Sequence, residues 1–234
     1  MTQEMIALGL LWYVVFLLST TAHEASHALV AKLGGDLTAF HHGQVTLNPL
    51  PHIRREPFGM IVFPILTYVA GGWMMGWASA PYDPAWQMKH PHRAAWMALA
   101  GPAANFSLAV IAGIAIRIGI LMHALQMPES ASFVRIAEAT SPGAADGVAK
   151  FLSLLFSLNV LLGAFNLLPI PPLDGYGVLG LFTSEKGARR LEAFRQRVRT
   201  YSFVGLLLGW KLFGQLYQPL FGAALKALYP ASGC

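Results

Sequence analysis

Two histidines and a glutamate occur where ionisable groups are least welcome. His23-Glu24-Ala25-Ser26-His27 lies inside an apolar run from Met5 to about Leu33, whose only charge before Lys32 is the Glu of the motif itself. An ionisable residue in a stretch long and apolar enough to span a bilayer is expensive, and such residues mark functional sites by default. On a helix, residues four apart share a face about one turn apart, so His23 and His27 can present two imidazoles to one metal ion. Glu24 neighbours His23 and can reach a water on the same ion. H-E-x-x-H thus supplies two ligands and a general base in one turn, the equipment of zinc-dependent hydrolysis. Zinc lowers the pKa of a water towards neutrality, and a carboxylate can then take its proton. A chain of this composition contains the motif by chance about 0.01 times. A metal-free polar cluster packed between helices is the other bland explanation.

A catalytic zinc takes three protein ligands. After His92 the only histidine is His123, at a helix end without a supporting motif, and no later Glu carries a His four residues on. The best candidate third ligand is Asp174, in Asn166-Leu167-Leu168-Pro169-Ile170-Pro171-Pro172-Leu173-Asp174-Gly175. Taken alone, that stretch reads equally well as a turn after a helix, with Asp and Gly as turn formers.

The rest of the chain has to position these groups in a bilayer. Of 234 residues, 55% are hydrophobic and only 12% charged, about half the charge of a soluble domain; mean hydropathy is +0.52. The expected fold is an all-α polytopic membrane protein with about 4–6 spans. One membrane-embedded domain is expected over residues 1–234, its core at about 5–180. The formal charge of +5 does not call for nucleic acid, because Lys and Arg collect on the cytoplasmic side of membrane proteins. The single cysteine, Cys234, excludes an internal disulfide and a Cys-based metal site, and fits a frayed tail. With no basic n-region, the first apolar segment reads as retained rather than as a signal peptide.

Gly34-Gly35 ends the first segment. Thr38-Ala39-Phe40 and Gln44-Val45-Thr46-Leu47 flank His41-His42-Gly43, which predicts a β-hairpin in the membrane-associated region 36–57. Phe58 to about Ala80, interrupted by Pro64, Gly71 and Gly72, either spans or re-enters. Residues 94–122 and 148–168 are clear spans, and 203–229 can form a last one. Between them, residues 184–200 carry six Lys and Arg, with Leu191, Phe194, Val198 and Tyr201 at helical spacing, which predicts a basic amphipathic helix on a cytoplasmic membrane face. From that helix the topology follows: 148–168 runs inwards, 94–122 outwards, and the first segment starts outside with its motif towards the inner leaflet.

The pairing of motifs resembles the site-2 protease family of intramembrane zinc metalloproteases, peptidase family M50, in its compact bacterial form without PDZ or CBS domains. That family joins H-E-x-x-H on one transmembrane helix with N-x-x-P-x-x-P-L-D-G on a later one. Asn166, Pro169, Pro172, Leu173, Asp174 and Gly175 match every defined position. Leu99-Ala100-Gly101-Pro102-Ala103-Ala104-Asn105 resembles the Gly-Pro-x-x-Asn that opens the family's intervening helix, and Thr46-Leu47-Asn48-Pro49, Pro51-His52-Ile53 and Gly76-Trp77-Ala78 resemble the compact subgroup. Ser79 departs from it, standing where a Lys is expected. The resemblance covers about residues 20–180. It implies one zinc ion held by His23, His27 and Asp174, Glu24 as general base, and Asn166, Pro172 and Asn105 beside bound substrate. It further implies a membrane-protein substrate with a transmembrane segment, in a prokaryotic inner membrane with the site towards the cytoplasm.

Other polar residues have plainer explanations. Asn159 either lines a substrate groove or bonds a neighbouring helix. His52 is either a gate near the metal or a satisfied loop histidine. His41, His42, His90 and His92 fit an interface, as do the Trp and Tyr residues. Two other classes of function use the same residues: a membrane transporter or binding protein that passes metal through a His23, His27 and Asp174 site, and a proteolytically dead scaffold.

Overall fold

The computed structural model describes residues 2–230; the expected frayed tail at Cys234 lies outside them. The first helix, α1 (Gln3–Gly34), starts with Thr2 Oγ1 accepting the Met5 N–H and stops at Gly35, whose φ of 99° lets its N–H reach the Ala31 and Lys32 carbonyls. Glycine is the residue that takes this left-handed cap without strain. Short helices follow: α2 (Thr38–His41), α3 (Pro49–Arg55), a π-helical turn at Phe58–Val62 leading into α4 (Phe63–Gly71), and α5 (Pro84–Lys89). Then come α6 (Pro91–Leu121), α7 (Ala144–Asn166), α8 (Asp174–Val178), α9 (Glu185–Arg197) and α10 (Ser202–Leu228). A single antiparallel pair, β1 (Leu125–Gln126) with β2 (Glu138–Ala139), closes the loop between α6 and α7.

Helices α1, α6 and α7 are long and apolar enough to cross a membrane, so the chain is an integral membrane protein. In α10, a comparably long helix, Lys211, Gln215 and Gln218 dilute the apolar content. The long helices alternate in direction. Trp86 Nε1 and an Arg93 guanidinium N–H donate to the Gly34 carbonyl, joining the end of α1 to the start of α6. An Arg117 N–H donates to the Leu228 carbonyl, joining the ends of α6 and α10.

Segment 58–71 is too short to span: at 1.5 Å per residue it covers about 21 Å of a hydrocarbon core about 30 Å thick. Its far end meets the start of α1, where Tyr68 donates to the Met5 carbonyl at 2.6 Å. Gly72, at φ 75°, turns the chain back. On the return, Met75 N–H bonds Thr67 Oγ1, Trp77 N–H bonds the Gly59 carbonyl and Ser79 donates to Glu56. The chain goes in and comes back on the same side, as the re-entrant alternative requires.

The expected hairpin at 38–47 is not formed. Thr38–His41 is one helical turn, and Gln44 N–H closes on the Ala39 carbonyl behind Gly43, at φ 70°. The cause is Asp36. Its Oδ1 accepts the Thr38 N–H at 2.9 Å and its Oδ2 the Asp83 N–H at 2.8 Å. A carboxylate offered two residues ahead of a free N–H favours a turn over a strand. Asn48 then caps α3 through the Leu50 N–H, with Pro49 at its first position.

The core lies where α6 passes between α1 and α7. Ala94, Ala98, Gly101, Asn105, Ala109, Ala112 and Ile116 form one buried stripe along α6 at helical spacing. Small residues let helix backbones approach closely, the usual means of association when lipid removes the hydrophobic drive between helices. Trp12, Val15 and Phe16 of α1 and Leu154, Leu155 and Phe156 of α7 fill the apolar end of this wedge.

Candidate metal centre

The polar end of the same wedge holds the motif. His23, Glu24 and His27 are buried on α1. The Nε2 atoms of the two histidines lie 3.0 Å apart. Asp174 Oδ2 lies 3.0 Å from one and 3.2 Å from the other. These three residues are the one His, Cys, Asp and Glu group suited to a metal among the described residues.

The outer ring nitrogens decide what those Nε2 atoms are. His27 Nδ1 lies 2.6 Å from the Met97 carbonyl, which can only accept, so Nδ1 donates. His23 Nδ1 lies 2.6 Å from Asn105 Oδ1. The Asn105 amide is itself oriented, because its Nδ2 donates to Asn159 Oδ1 at 2.8 Å and to the Ser19 carbonyl at 3.4 Å. Asn159 Nδ2 in turn donates to Ser19 Oγ and to the Leu155 carbonyl, both at 2.8 Å. Each bond fixes the next, and His23 Nδ1 also carries its proton. Both Nε2 atoms therefore aim bare lone pairs at a carboxylate oxygen. Three acceptors converging at such distances repel one another unless a cation or proton lies between them. A tetrahedral zinc with bonds of 2.0–2.1 Å separates its ligand atoms by about 3.3 Å, so the donor set fits one.

With a proton on the histidines in place of a metal, their charge would outweigh the burial of Asp174 and hold its carboxyl well below the usual carboxylate range. Glu24 has no hydrogen bond or ion pair among the described residues, which leaves its oxygens for a water.

Backbone makes the room. A Cβ on Gly101 would overlap the Nε2 atoms of both histidines, so α6 approaches α1 here only because residue 101 has no side chain. The next residue, Pro102, has no N–H for the Ala98 carbonyl, and the turn it loosens contains the Met97 carbonyl that holds His27. Past α7 the chain turns through 167–173, and Gly175 presses against the Leu167 and Leu168 carbonyls where a Cβ would collide. That contact brings Asp174, the first residue of α8, back over α1. The Asp-Gly pair is a turn, as its composition suggests, and the same turn delivers the carboxylate.

Asn105, which the resemblance puts beside substrate, is instead fully buried, with both amide atoms committed within the protein; it orients His23. Asn166, at the end of α7, donates Nδ2 to the Leu162 carbonyl one turn back, and its Oδ1 is uncommitted among the described residues. Pro172 is half-buried in the turn before Asp174. Asn159 bonds neighbouring helices rather than lining a groove. His52 is buried, with Nε2 on the Thr46 carbonyl, outside the metal group. His92 bonds the Thr183 carbonyl. Ser79 bridges Arg55 and Glu56. The motifs did not reveal the Met97 carbonyl or the part played by Ser19; Gly101 and Asn105 were visible as a helix-opening pattern, with Asn105 expected beside substrate, and both lie instead in the interior of α6.

The description peptidase family M50 matches residues 11–210. The chain is 38% identical over 175 residues to "Putative zinc metalloprotease YwhC" of Bacillus subtilis, an overlap of 74% of this chain and 69% of that protein. It is 32% identical over 181 residues to "Putative zinc metalloprotease Rip2" of Mycolicibacterium smegmatis, with 77% and 60% covered. To the protein of the same name from Mycobacterium tuberculosis it is 30% identical over 207 residues, with 86% and 70% covered. The chain thus spans between 60% and 70% of the length of these relatives. No solved structure matches it.

Proposed function

The chain belongs to peptidase family M50, and from that premise we propose that this zinc metalloprotease hydrolyses a peptide bond within or near a transmembrane segment of another membrane protein. The observation that carries the proposal is the convergence of His23 Nε2 and His27 Nε2, on a helix of membrane-spanning length, with Asp174 Oδ2 at 3.0–3.2 Å.

His23, His27 and Asp174 would hold the zinc. When bound there, zinc supplies Lewis acidity, polarising a substrate carbonyl and making a water acidic near neutral pH. Glu24, beside His23 and without a hydrogen bond among the described residues, takes the proton of a water at its carboxylate and passes it to the leaving amine. Asn105 and Met97 hold the imidazoles in the tautomer that keeps Nε2 bare. Asn166 Oδ1 is available to a substrate backbone N–H at the end of α7, and Pro172 shapes the turn beside it. A transmembrane substrate must unwind locally, because a helix engages its own carbonyls. The non-helical stretch 72–83 and the turn 167–173 are tolerated at membrane depth where they line a polar cavity. The basic helix α9 supports a cytoplasmic location for the end of α1 nearest the motif.

A metal-transport reading would use the same three ligands but gives Glu24 no task. Glu24→Gln separates the two. The variant should keep one zinc per chain by mass spectrometry and lose about 10²-fold or more of its cleavage of a single-span substrate in detergent. Wild-type-like cleavage by the zinc-loaded variant would remove Glu24 from the mechanism. A wild-type chain that binds zinc and cleaves no membrane substrate would favour transport.

A further inference from the structure

Helix α9 carries charge that the protein does not use. Lys186, Arg189, Arg190, Arg197 and Arg199 are all exposed. Arg189 pairs with Glu185, while Lys186, Arg190, Arg197 and Arg199 have no acidic partner among the described residues. Positions 186, 190 and 197 fall on one stripe of the helix. The opposite side is occupied: Ala188 and Glu192 are buried, and Glu192 pairs with Arg195, which lies over the Tyr82 ring.

A row of charges is ordinarily a solvated surface, and two features argue otherwise here. Aromatic side chains flank the row in positions costly in water: Phe182 is 82% exposed, Tyr201 68% and Phe203 70%. Such rings belong at a membrane–water interface. In addition, α9 runs through a single turn at Arg199–Tyr201 into α10, whose Val204, Leu206, Leu207 and Leu208 are exposed apolar residues. On its other side α9 packs on the start of α6, where Gly180 and Ala188 approach Pro91 and Ala95. The helix therefore lies across the starts of α6 and α10, at the level where their exposed apolar surface begins. Clusters of Lys and Arg immediately beside a membrane helix attract anionic lipid headgroups.

The surface is tied to the metal centre. Asp174 opens α8, and two residues later Tyr176 packs on Phe194 of α9, with ring centroids 6.1 Å apart. Whatever holds α9 also bears on the helix that carries the third ligand.

We propose that α9 and its flanking aromatic residues form a binding surface for anionic lipid headgroups, and that its occupation steadies α8 and so supports hydrolysis. The test uses the whole protein in phosphatidylcholine vesicles with and without phosphatidylglycerol. Spin-labelled forms of the two lipids report association directly, and cleavage of a single-span substrate reports the consequence. The wild type should prefer the phosphatidylglycerol label, and the preference should fall as salt rises. The triple variant Lys186→Gln/Arg190→Gln/Arg197→Gln should lose about fivefold or more of that preference and its rate advantage in the anionic vesicles. Arg190→Lys/Arg197→Lys, which retains the charge and guards against a folding artefact, should keep both. Equal association of the two labels with wild type would overturn the proposal, as would a preference that the triple variant retains. A preference without any rate advantage would overturn the link to α8. Because that link rests on the proteolytic reading, lipid preference in a protein that cleaves nothing in any vesicle would count against proteolysis and leave the lipid surface standing.

Discussion

The two histidines and the aspartate reach the same point from regions built on different principles. His23 and His27 lie in the α1–α6–α7 wedge, where each imidazole is gripped by a second hydrogen bond and Ser19, Asn105 and Asn159 are sealed from solvent. Asp174 comes from the α8–α9–α10 side, held by a turn, a glycine contact and ring packing. Its carboxylate meets no polar group besides the two imidazoles among the described residues. In the wedge, polar bonds fix atoms to fractions of an ångström, which a ligand pair needs before metal arrives. On the other side, apolar contact leaves a short helix that a metal or a membrane surface can still settle. A metal bound at the junction is itself the strongest tie between the two regions.

That contrast can be broken from the wedge side first. Gly101→Ala puts a methyl group where the two Nε2 atoms meet, and overpacking there has nowhere to relax. Zinc affinity and activity should both fall by about 100-fold or more while helix content by circular dichroism stays close to wild type. Full zinc stoichiometry after dialysis would mean that α6 can retreat and that the wedge is less rigid than its bonds imply.

Removing the tie comes next in size. Chelation should lower the melting temperature of the wild type, since metal that binds only the folded state stabilises it by mass action, about 2.7 kcal/mol at a hundredfold excess over Kd. Asp174→Ala should bind zinc poorly, melt near the chelated wild type and respond little to chelator. An Asp174→Ala protein that keeps one zinc per chain would place the third ligand elsewhere.

Within the wedge the bonds can be graded. Asn105→Ala frees His23 Nδ1 and should weaken zinc binding about 10–100-fold, the usual effect of losing the partner of a ligating histidine. Asn159→Ala, one bond further out, should cost mainly stability, about 0.6 kcal/mol on the average for interhelical hydrogen bonds in membrane proteins, with a smaller loss of affinity. Calorimetric zinc titration and thermal melts of the same preparations separate the two; equal affinity losses would mean that the chain of amides acts as one unit. Smallest of all, the α9 triple variant should leave zinc affinity in detergent unchanged, because its side chains point away from the site. A change there would show that the charges act on Asp174 without lipid.

What the sequence determined by itself is whatever depends on short range and composition. Helical spacing puts His23 and His27 on one face, apolar length sets where the long helices lie, and Gly34-Gly35 marks the end of the first. The Asp-Gly turn was legible, and the resemblance attached Asp174 to the histidines across about 150 residues. Local patterning failed at 38–47, where alternating residues suggested strands and the Asp36 carboxylate, bonded also to Asp83, made a turn. It left 58–80 undecided, because nothing in an apolar stretch says that Gly72 will turn it back onto Gly59. The roles of Gly101, Asn105, Asn159 and the Met97 carbonyl were decided by tertiary structure alone. A glycine's missing side chain, a backbone oxygen and an amide's orientation acquire meaning only from what is packed against them, and here each packs against an atom of a different helix.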